Sequence, residues 1–176
     1  MNNYNKTSAM SSLRGAQNRA EGSAFEKLIT TSCEYYEEKG IALIEKTPEP
    51  FRVTRNLKNG KFEGYFIKKA QPDFKGTIRS GKSIVFDAKA TETDRINLSA
   101  LTDEQVKRLE LHRRLGAEAA VLLCFGFKEF AWIPFDIFIR AKDINGHKHW
   151  TIQESRDFAV YLKNGYLDFL TGRRIC

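Results

Sequence analysis

Two carboxylates and an amine stand within one short stretch, PDFKGTIRSGKSIVFDAK, from Pro72 to Lys89. Asp73 follows a proline, a basic turn comes next (Lys75, Gly76, Arg79, Ser80, Gly81, Lys82), and the apolar run Ile84, Val85, Phe86 leads into Asp87, Ala88 and Lys89. Side chains alternate along a strand, so Asp87 and Lys89 project to one side and the small Ala88 to the other. Pairing of residues 74–78 with 83–86 through a turn at Gly81 sets Asp73 beside Asp87. Two hard carboxylates and a backbone carbonyl, here that of Ala88, suit Mg²⁺ or Mn²⁺, which take oxygen ligands in octahedral geometry and keep several waters. A lysine adjoining such a pair can orient a water or neutralise charge developing on phosphorus. An isolated D-x-K reads equally as a strand end facing solvent. The Pro-Asp onset, the apolar strand and the small residue between the polar pair favour the chemical reading.

The elements that must position this hairpin follow from periodicity. Residues 1 to 17 are polar and aperiodic, an expected mobile and mildly basic arm. From about Asn18 a helix is predicted, with Phe25, Leu28, Ile29, Ser32, Cys33 and Tyr36 on one buried face and a stop at Lys39 and Gly40. Glu26 sits at the margin of that face, either an edge carboxylate or one leaning towards the site. Ile41 to Ile44 is a first strand, broken by Pro48 and Pro50. Thr102-Asp103-Glu104-Gln105 reads as a capping box in which Gln105 is the third-position partner, and the helix it opens runs through Val106, Leu109, His112 and Arg113 to Gly116. Residues 119–125 and 130–134 are apolar strands. Thr151-x-x-Glu154 reads as a second capping box, predicting a last helix to about Lys163 that ends at Asn164-Gly165. This order implies one α/β domain over residues 18–176, a mixed sheet flanked by helices.

Most of the excess positive charge lies just upstream of Asp73. Residues 51–69 hold Arg52, Arg55, Lys58, Lys61, Lys68 and Lys69 against the single Glu63, around an Asn59-Gly60 hairpin signal. With Phe51, Phe62, Tyr65 and Phe66 interleaved, the ribbon suits phosphate contact together with base or sugar stacking. The competing reading has those aromatics covering the core. The whole chain of 176 residues carries a net charge of +7, and its 13 Phe and 41% hydrophobic content argue for one globular body. A basic balance fits a polyanionic partner, nucleic acid before an anionic membrane.

No apolar run approaches the ~18 residues of a membrane span, and the N-terminus lacks the apolar core of a signal peptide. Cys33, Cys124 and Cys176 make an odd set without C-x-x-C spacing, as expected of reduced thiols in a cytoplasmic protein. His147 and His149 flank an Asn145-Gly146 turn and read as an exposed loop rather than a ligand pair. Neither G-x-x-x-x-G-K-[ST] nor G-x-G-x-x-G occurs, so no nucleotide cofactor is implied.

Taken together, Asn18-Arg19 with Glu26 in the first helix, GIALIEKTPEP at 40–50, GYFIKKAQPDFKGTIRSGKSIVFDAKATET at 64–93, the helix bearing Gln105 and the apolar strand after it resemble the PD-(D/E)XK nuclease superfamily. Within it the chain is similar to the RecU-type Holliday junction resolvases. The likeness runs over roughly residues 18–134. It implies a restriction-endonuclease-like core with a projecting β-hairpin stalk at 52–66. Asp73 and Asp87 would be metal ligands, Lys89 the residue that helps the attacking water, and Glu26 and Gln105 supporting groups. Arg19 would contact DNA, as would the ribbon and, by its place in the basic turn, Lys75. Asp87 stands where the family has Glu, Ala20 where it has Gly, and the stalk is shorter. The activity implied is Mg²⁺-dependent, paired hydrolysis of four-way branched DNA in recombination and repair, by a C2 homodimer, with a recombinase as a possible further partner. Two alternatives stand beside it: a less selective nuclease of the same superfamily, and a non-catalytic junction-binding protein that regulates recombination.

Overall fold

The stripe Phe25, Ile29, Cys33, Tyr36 repeats at helical spacing, and all of these side chains are buried on helix α1 (Asn3–Glu38) of the computed structural model. The structure describes residues 3–48, 50–66 and 71–171. Helix α1 begins at Asn3 and not near Asn18, so residues 3–17 of the stretch expected as a mobile arm belong to the helix. No proline interrupts Asn3 to Asn18, and Ala9, Met10, Leu13, Ala16 and Gln17 all favour helix. The missing apolar period bears on packing, not on propensity. Gly40, at φ +59°, ends the helix, and Ile41 N–H donates back to Tyr36 O at 2.8 Å.

The strands are β1 (Ala42–Lys46), β2 (Phe51–Asn56), β3 (Phe62–Phe66), β4 (Phe74–Ile78), β5 (Ser83–Thr91), β6 (Arg95–Asn97), β7 (Glu118–Phe125), β8 (Glu129–Pro134), β9 (His149–Thr151), β10 (Ala159–Lys163) and β11 (Tyr166–Asp168). Seven of them form one mixed sheet in the order β1-β4-β5-β7-β8-β10-β11. Strands β5 and β7 are parallel, joined by a crossover through α2 (Asp103–Arg114), and the other pairs are antiparallel. Short helices α3 (Phe135–Phe138) and α4 (Ala141–Asn145) follow β8. The expected α/β architecture, a mixed sheet between helices, is therefore present.

Alternation along β5 decides which residues meet which helix. Ile84, Phe86 and Ala88 turn to the α1 side and pack with Phe74, Trp132 and Phe169, whereas Val85 joins Leu109, Val121, Leu123 and Ile133 on the α2 side. Phe86 lies between Phe74, stacked at 5.0 Å, and Trp132, edge-on at 5.0 Å. Truncating such a ring to Ala costs about 3–5 kcal/mol. Strand β4 approaches β1 so closely that a Cβ on Gly76 would strike the Leu43 carbonyl oxygen. The end of the sheet is tied to α1 by polar bonds. The Tyr36 hydroxyl donates to Leu167 O (2.9 Å) and accepts from Phe169 N (2.9 Å), and Ser32 Oγ accepts from Leu167 N (2.8 Å).

The predicted last helix does not form. Thr151 and Glu154 make the capping bonds, with Thr151 N–H donating to Glu154 Oε2 at 2.9 Å and Glu154 N–H to Thr151 Oγ1 at 3.3 Å. The chain then passes through a 3-10 turn at Arg156–Phe158 into β10 and β11. Ala159 to Lys163 carries Val160, Tyr161 and Leu162, and its best partner is the exposed edge of β8. Asn164 and Gly165, at φ +47° and +86°, are thus a hairpin turn and not a helix stop.

Candidate active site

The turn at Gly81 (φ +82°) brings β4 back along β5 with Phe74 opposite Phe86. One step further, Asp73 falls opposite Asp87, as the spacing predicts. Asp73 Oδ2 accepts from Ala88 N–H at 2.9 Å, so the residue between the catalytic candidates holds its neighbour's carboxylate through its own backbone. The Asp73 carbonyl also accepts from Thr47 N–H at 2.8 Å, which ties the end of β1 to the same point.

Asp87 is fully buried on the α2 side of the sheet. Its Oδ1 accepts from Gln105 Nε2 at 2.7 Å and lies 3.8 Å from Lys89 Nζ. Its Oδ2 has no hydrogen-bond partner. Burial, and then the charge of Asp73 against the opposing pull of Lys89, push the Asp87 carboxyl up to about 8. Gln105 serves two ends at once: its Oε1 accepts from Thr102 N–H at 3.0 Å, completing the predicted capping box, while its amide nitrogen reaches Asp87.

A buried carboxylate oxygen with no donor, facing a second carboxylate, is the environment that a hard divalent cation relieves. The donor set fits Mg²⁺ or Mn²⁺ in that respect. Among the described residues no three His, Cys, Asp or Glu side chains gather to hold a metal. Glu26 is not brought to the aspartates in such a cluster. It pairs with Lys46 Nζ at 2.6 Å, on the helix that covers the other face. Arg19 is exposed on α1 two turns before Glu26. Lys75 is exposed on β4, two residues from Asp73 and on the same side. His147 and His149 are half-buried rather than exposed: their rings stack at 3.6 Å, with His147 Nε2 at 3.0 Å from Glu154.

The basic ribbon stands clear of the core. Every residue of β2 is exposed, and Phe51, Phe62 and Tyr65 are 37%, 57% and 52% accessible, so these three aromatics do not cover the sheet. The ribbon has two distinct faces. Opposed residues of an antiparallel pair share a side. Val53 opposite Gly64 and Asn56 opposite Phe62 therefore lie with Phe51, while Arg52 opposite Tyr65 and Arg55 opposite Glu63 take the other face. Arg52 and Arg55 are three apart and share a face because a bulge at Thr54 adds one residue, with Thr54 Oγ1 donating to Glu63 O at 3.2 Å. The Phe51 ring leans over Gly64, where a Cβ would collide with it, and meets Phe62 at 5.6 Å. Lys58 and Lys61 flank the Asn59-Gly60 turn, with Asn59 at φ +62° and Gly60 at φ +72°. Lys68 and Lys69 lie outside the described residues.

Sequence reasoning left out Lys46, Arg108 and the bulge residue Thr54. Arg108 had a usable signal, three residues after Gln105 and so on the same helix edge. Nothing local announces the other two.

A model of the family described as Recombination protein U matches residues 20–171. The Holliday junction resolvase RecU of Streptococcus pneumoniae strain CGSP14 is 27% identical over 152 residues, covering 82% of this chain and 76% of that protein. Its counterpart from strain Taiwan19F-14 is 26% identical over the same shares. Among solved structures, the Holliday junction resolvase Hjc of Archaeoglobus fulgidus aligns with a TM-score of 0.41 and 16% identity over 65% of this chain and 78% of that one. With residues 20–171 matched by that model, the chain belongs to the Recombination protein U (RecU) family.

Proposed function

We propose that the chain is a divalent-metal-dependent endonuclease that resolves four-way DNA junctions by paired phosphodiester hydrolysis, acting as a homodimer in the cytoplasm. The observation that carries this reading is Asp87, buried opposite Asp73 with Oδ2 unpartnered and Lys89 beside it. Family membership supports the substrate.

Asp73 and Asp87, with the Ala88 carbonyl, are the proposed ligands of Mg²⁺ or Mn²⁺. When bound, that ion acts as a Lewis acid on the scissile phosphate and lowers the pKa of water. Gln105 fixes Asp87 Oδ1, so that the carboxylate presents its other oxygen without rotating. Ala88 N–H does the same for Asp73. Lys89 is the candidate for orienting water against phosphorus and for neutralising charge as the 3′ oxygen departs. Glu26 is proposed as a supporting group from the α1 side, held by Lys46. Arg19 and the cationic face of the ribbon supply phosphate contacts, which position DNA without reading its sequence. A recombinase is a further candidate partner at the junction.

A synthetic four-way junction incubated with Mg²⁺ is expected to yield two symmetric nicks, with linear duplex of the same sequence spared. Asp87→Asn and Lys89→Ala are each expected to lower cleavage by at least ~100-fold. Equal cutting of linear duplex would leave a less selective nuclease. Binding without cutting, indifferent to Asp73→Asn and Asp87→Asn, would leave a regulatory binder.

A further inference from the structure

On the side of the sheet that carries Asp87, α2 covers β5 and β7 and leaves β4 and β1 open. The residues these two strands turn to that side are Lys75, Thr77, Leu43 and Glu45, and all are exposed, Leu43 at 52%. On the α1 side of the same strand, Ala42 and Ile44 are buried. Two of the seven strands therefore present a bare face on this side, and it begins at the candidate site.

The wall of this trough is one edge of α2. Gln105, Arg108 and His112 fall within roughly 60° of one another around the helix. Since Gln105 reaches Asp87, Arg108 and His112 lie roughly 4.5 and 10 Å further along the axis from the aspartate pair. The floor repeats the spacing. Lys75 is two strand residues, roughly 7 Å, beyond Asp73 and opposite Val85. Arg108 and Lys75 meet at His112: burial first, and then the charges of those two residues, hold its imidazole below the usual range. Glu110 is drawn off to the far side of the helix by Arg113 and Arg114, at 2.8 Å each. Glu45, opposite Lys75, bounds the trough on its outer side.

We propose that Lys75, Arg108 and His112 form a phosphate track that grips the DNA strand one and two nucleotides from the scissile phosphate. The inference rests on the nuclease reading above and assigns the direction in which the cut strand runs, along β4 and away from the ribbon. Arginine offers a fork to two phosphate oxygens, lysine a point charge and histidine a single N–H, so the track grips backbone and ignores sequence.

The test is junction binding in EDTA over a range of NaCl concentrations, for the wild type, the double variant Lys75→Ala/Arg108→Ala, and Lys107→Ala. The last removes the same type of charge from an exposed position on α2 roughly 100° around the helix from Arg108. The double variant is expected to bind about tenfold or more weakly, with a log–log salt slope shallower by about 2; in a parallel cleavage assay with Mg²⁺ its KM is expected to rise more than its kcat falls. Lys107→Ala is expected to match wild type. A double variant indistinguishable from Lys107→Ala overturns the track. So does a change in its sedimentation, which would make the trough an interface between copies. If the wild type binds junctions without cutting them and the double variant still loses its slope, the track stands and the cleavage reading falls.

Discussion

Burying Asp87 with one oxygen unpartnered costs the metal-free fold stability, and the cost depends on pH. The folded-state pKa, about 8, lies above that of the unfolded chain, so between about 4 and 8 the folded protein holds a proton that the unfolded chain has released. Stability from this group is fully present below the unfolded value and is lost as pH rises towards 8, by up to ~1.4 kcal/mol per pH unit. Thermal melts in EDTA are expected to show the wild-type Tm falling relative to Asp87→Asn as pH is raised across this window. Mg²⁺ should restore the wild type alone, most strongly near pH 8, where less proton must be displaced. An Asp87→Asn variant that melts below wild type at pH 8 would contradict this. Gln105 offers a second check. Gln105→Glu keeps a side chain able to close the capping box but replaces the donor to Asp87 with an acceptor. It should lose junction cleavage and, because it strips the buried Asp87 of its donor, give up about 1–3 kcal/mol of stability even though the capping box still closes. Wild-type cleavage would confine Gln105 to capping. Asp73, Asp87 and Lys89 were legible in sequence because strand period and turn position suffice to juxtapose them. The second bond of Gln105 and the Lys46 partner of Glu26 were not, because both depend on how a helix lies across the sheet.

At the scale of elements, the β2–β3 ribbon shows how one residue sets the chemistry of a surface. Without the bulge, strict alternation would turn Arg55 to the side of Phe51 and Phe62 and leave Arg52 alone with Tyr65. Deleting Thr54 removes the bulge yet leaves Arg55 opposite Glu63 and on the face of Arg52, now in a regular ladder. Electrophoretic shifts with a four-way junction are expected to show near-wild-type affinity for this deletion and about tenfold weaker binding for Arg55→Ala, with Mg²⁺-dependent stabilisation intact in both because the aspartates lie on other strands. A deletion that weakens binding as much as Arg55→Ala would mean that the bulge itself, and not the shared facing of Arg52 and Arg55, shapes the surface. The hairpin itself was legible from Asn59-Gly60, but the bulge was not, since Thr54 fits a regular strand equally well. The same dipeptide misled at the other end of the chain. Asn164-Gly165 is equally good as a helix stop or as a hairpin turn, and the preceding capping box favoured the helix. The capping bonds do form, yet an edge of β8 was available to residues 159–160, and tertiary pairing overrode the local signal.

For the molecule as a whole, a single copy presents one Asp73–Asp87 pair, while a four-way junction is resolved only by two matched incisions. If a C2 dimer supplies both, each copy is responsible for one cut. Mixing wild-type and Asp87→Asn chains, refolded together at equal amounts, puts about half of all dimers in the mixed state. A supercoiled plasmid bearing an extruded cruciform reads the outcome directly: two cuts in one binding event give a linear molecule, and one cut gives a nicked circle that can no longer extrude the cruciform. Wild type should produce linear plasmid, the variant nothing, and the mixture a nicked circle in excess of the amount expected from diluting wild type alone. The excess should grow with the fraction of variant until homodimers of Asp87→Asn dominate. If the mixture instead gives linear product in simple proportion to wild-type chains, the incisions belong to independent copies. The one trough that runs from each Asp73–Asp87 pair would then have to hold the junction unaided.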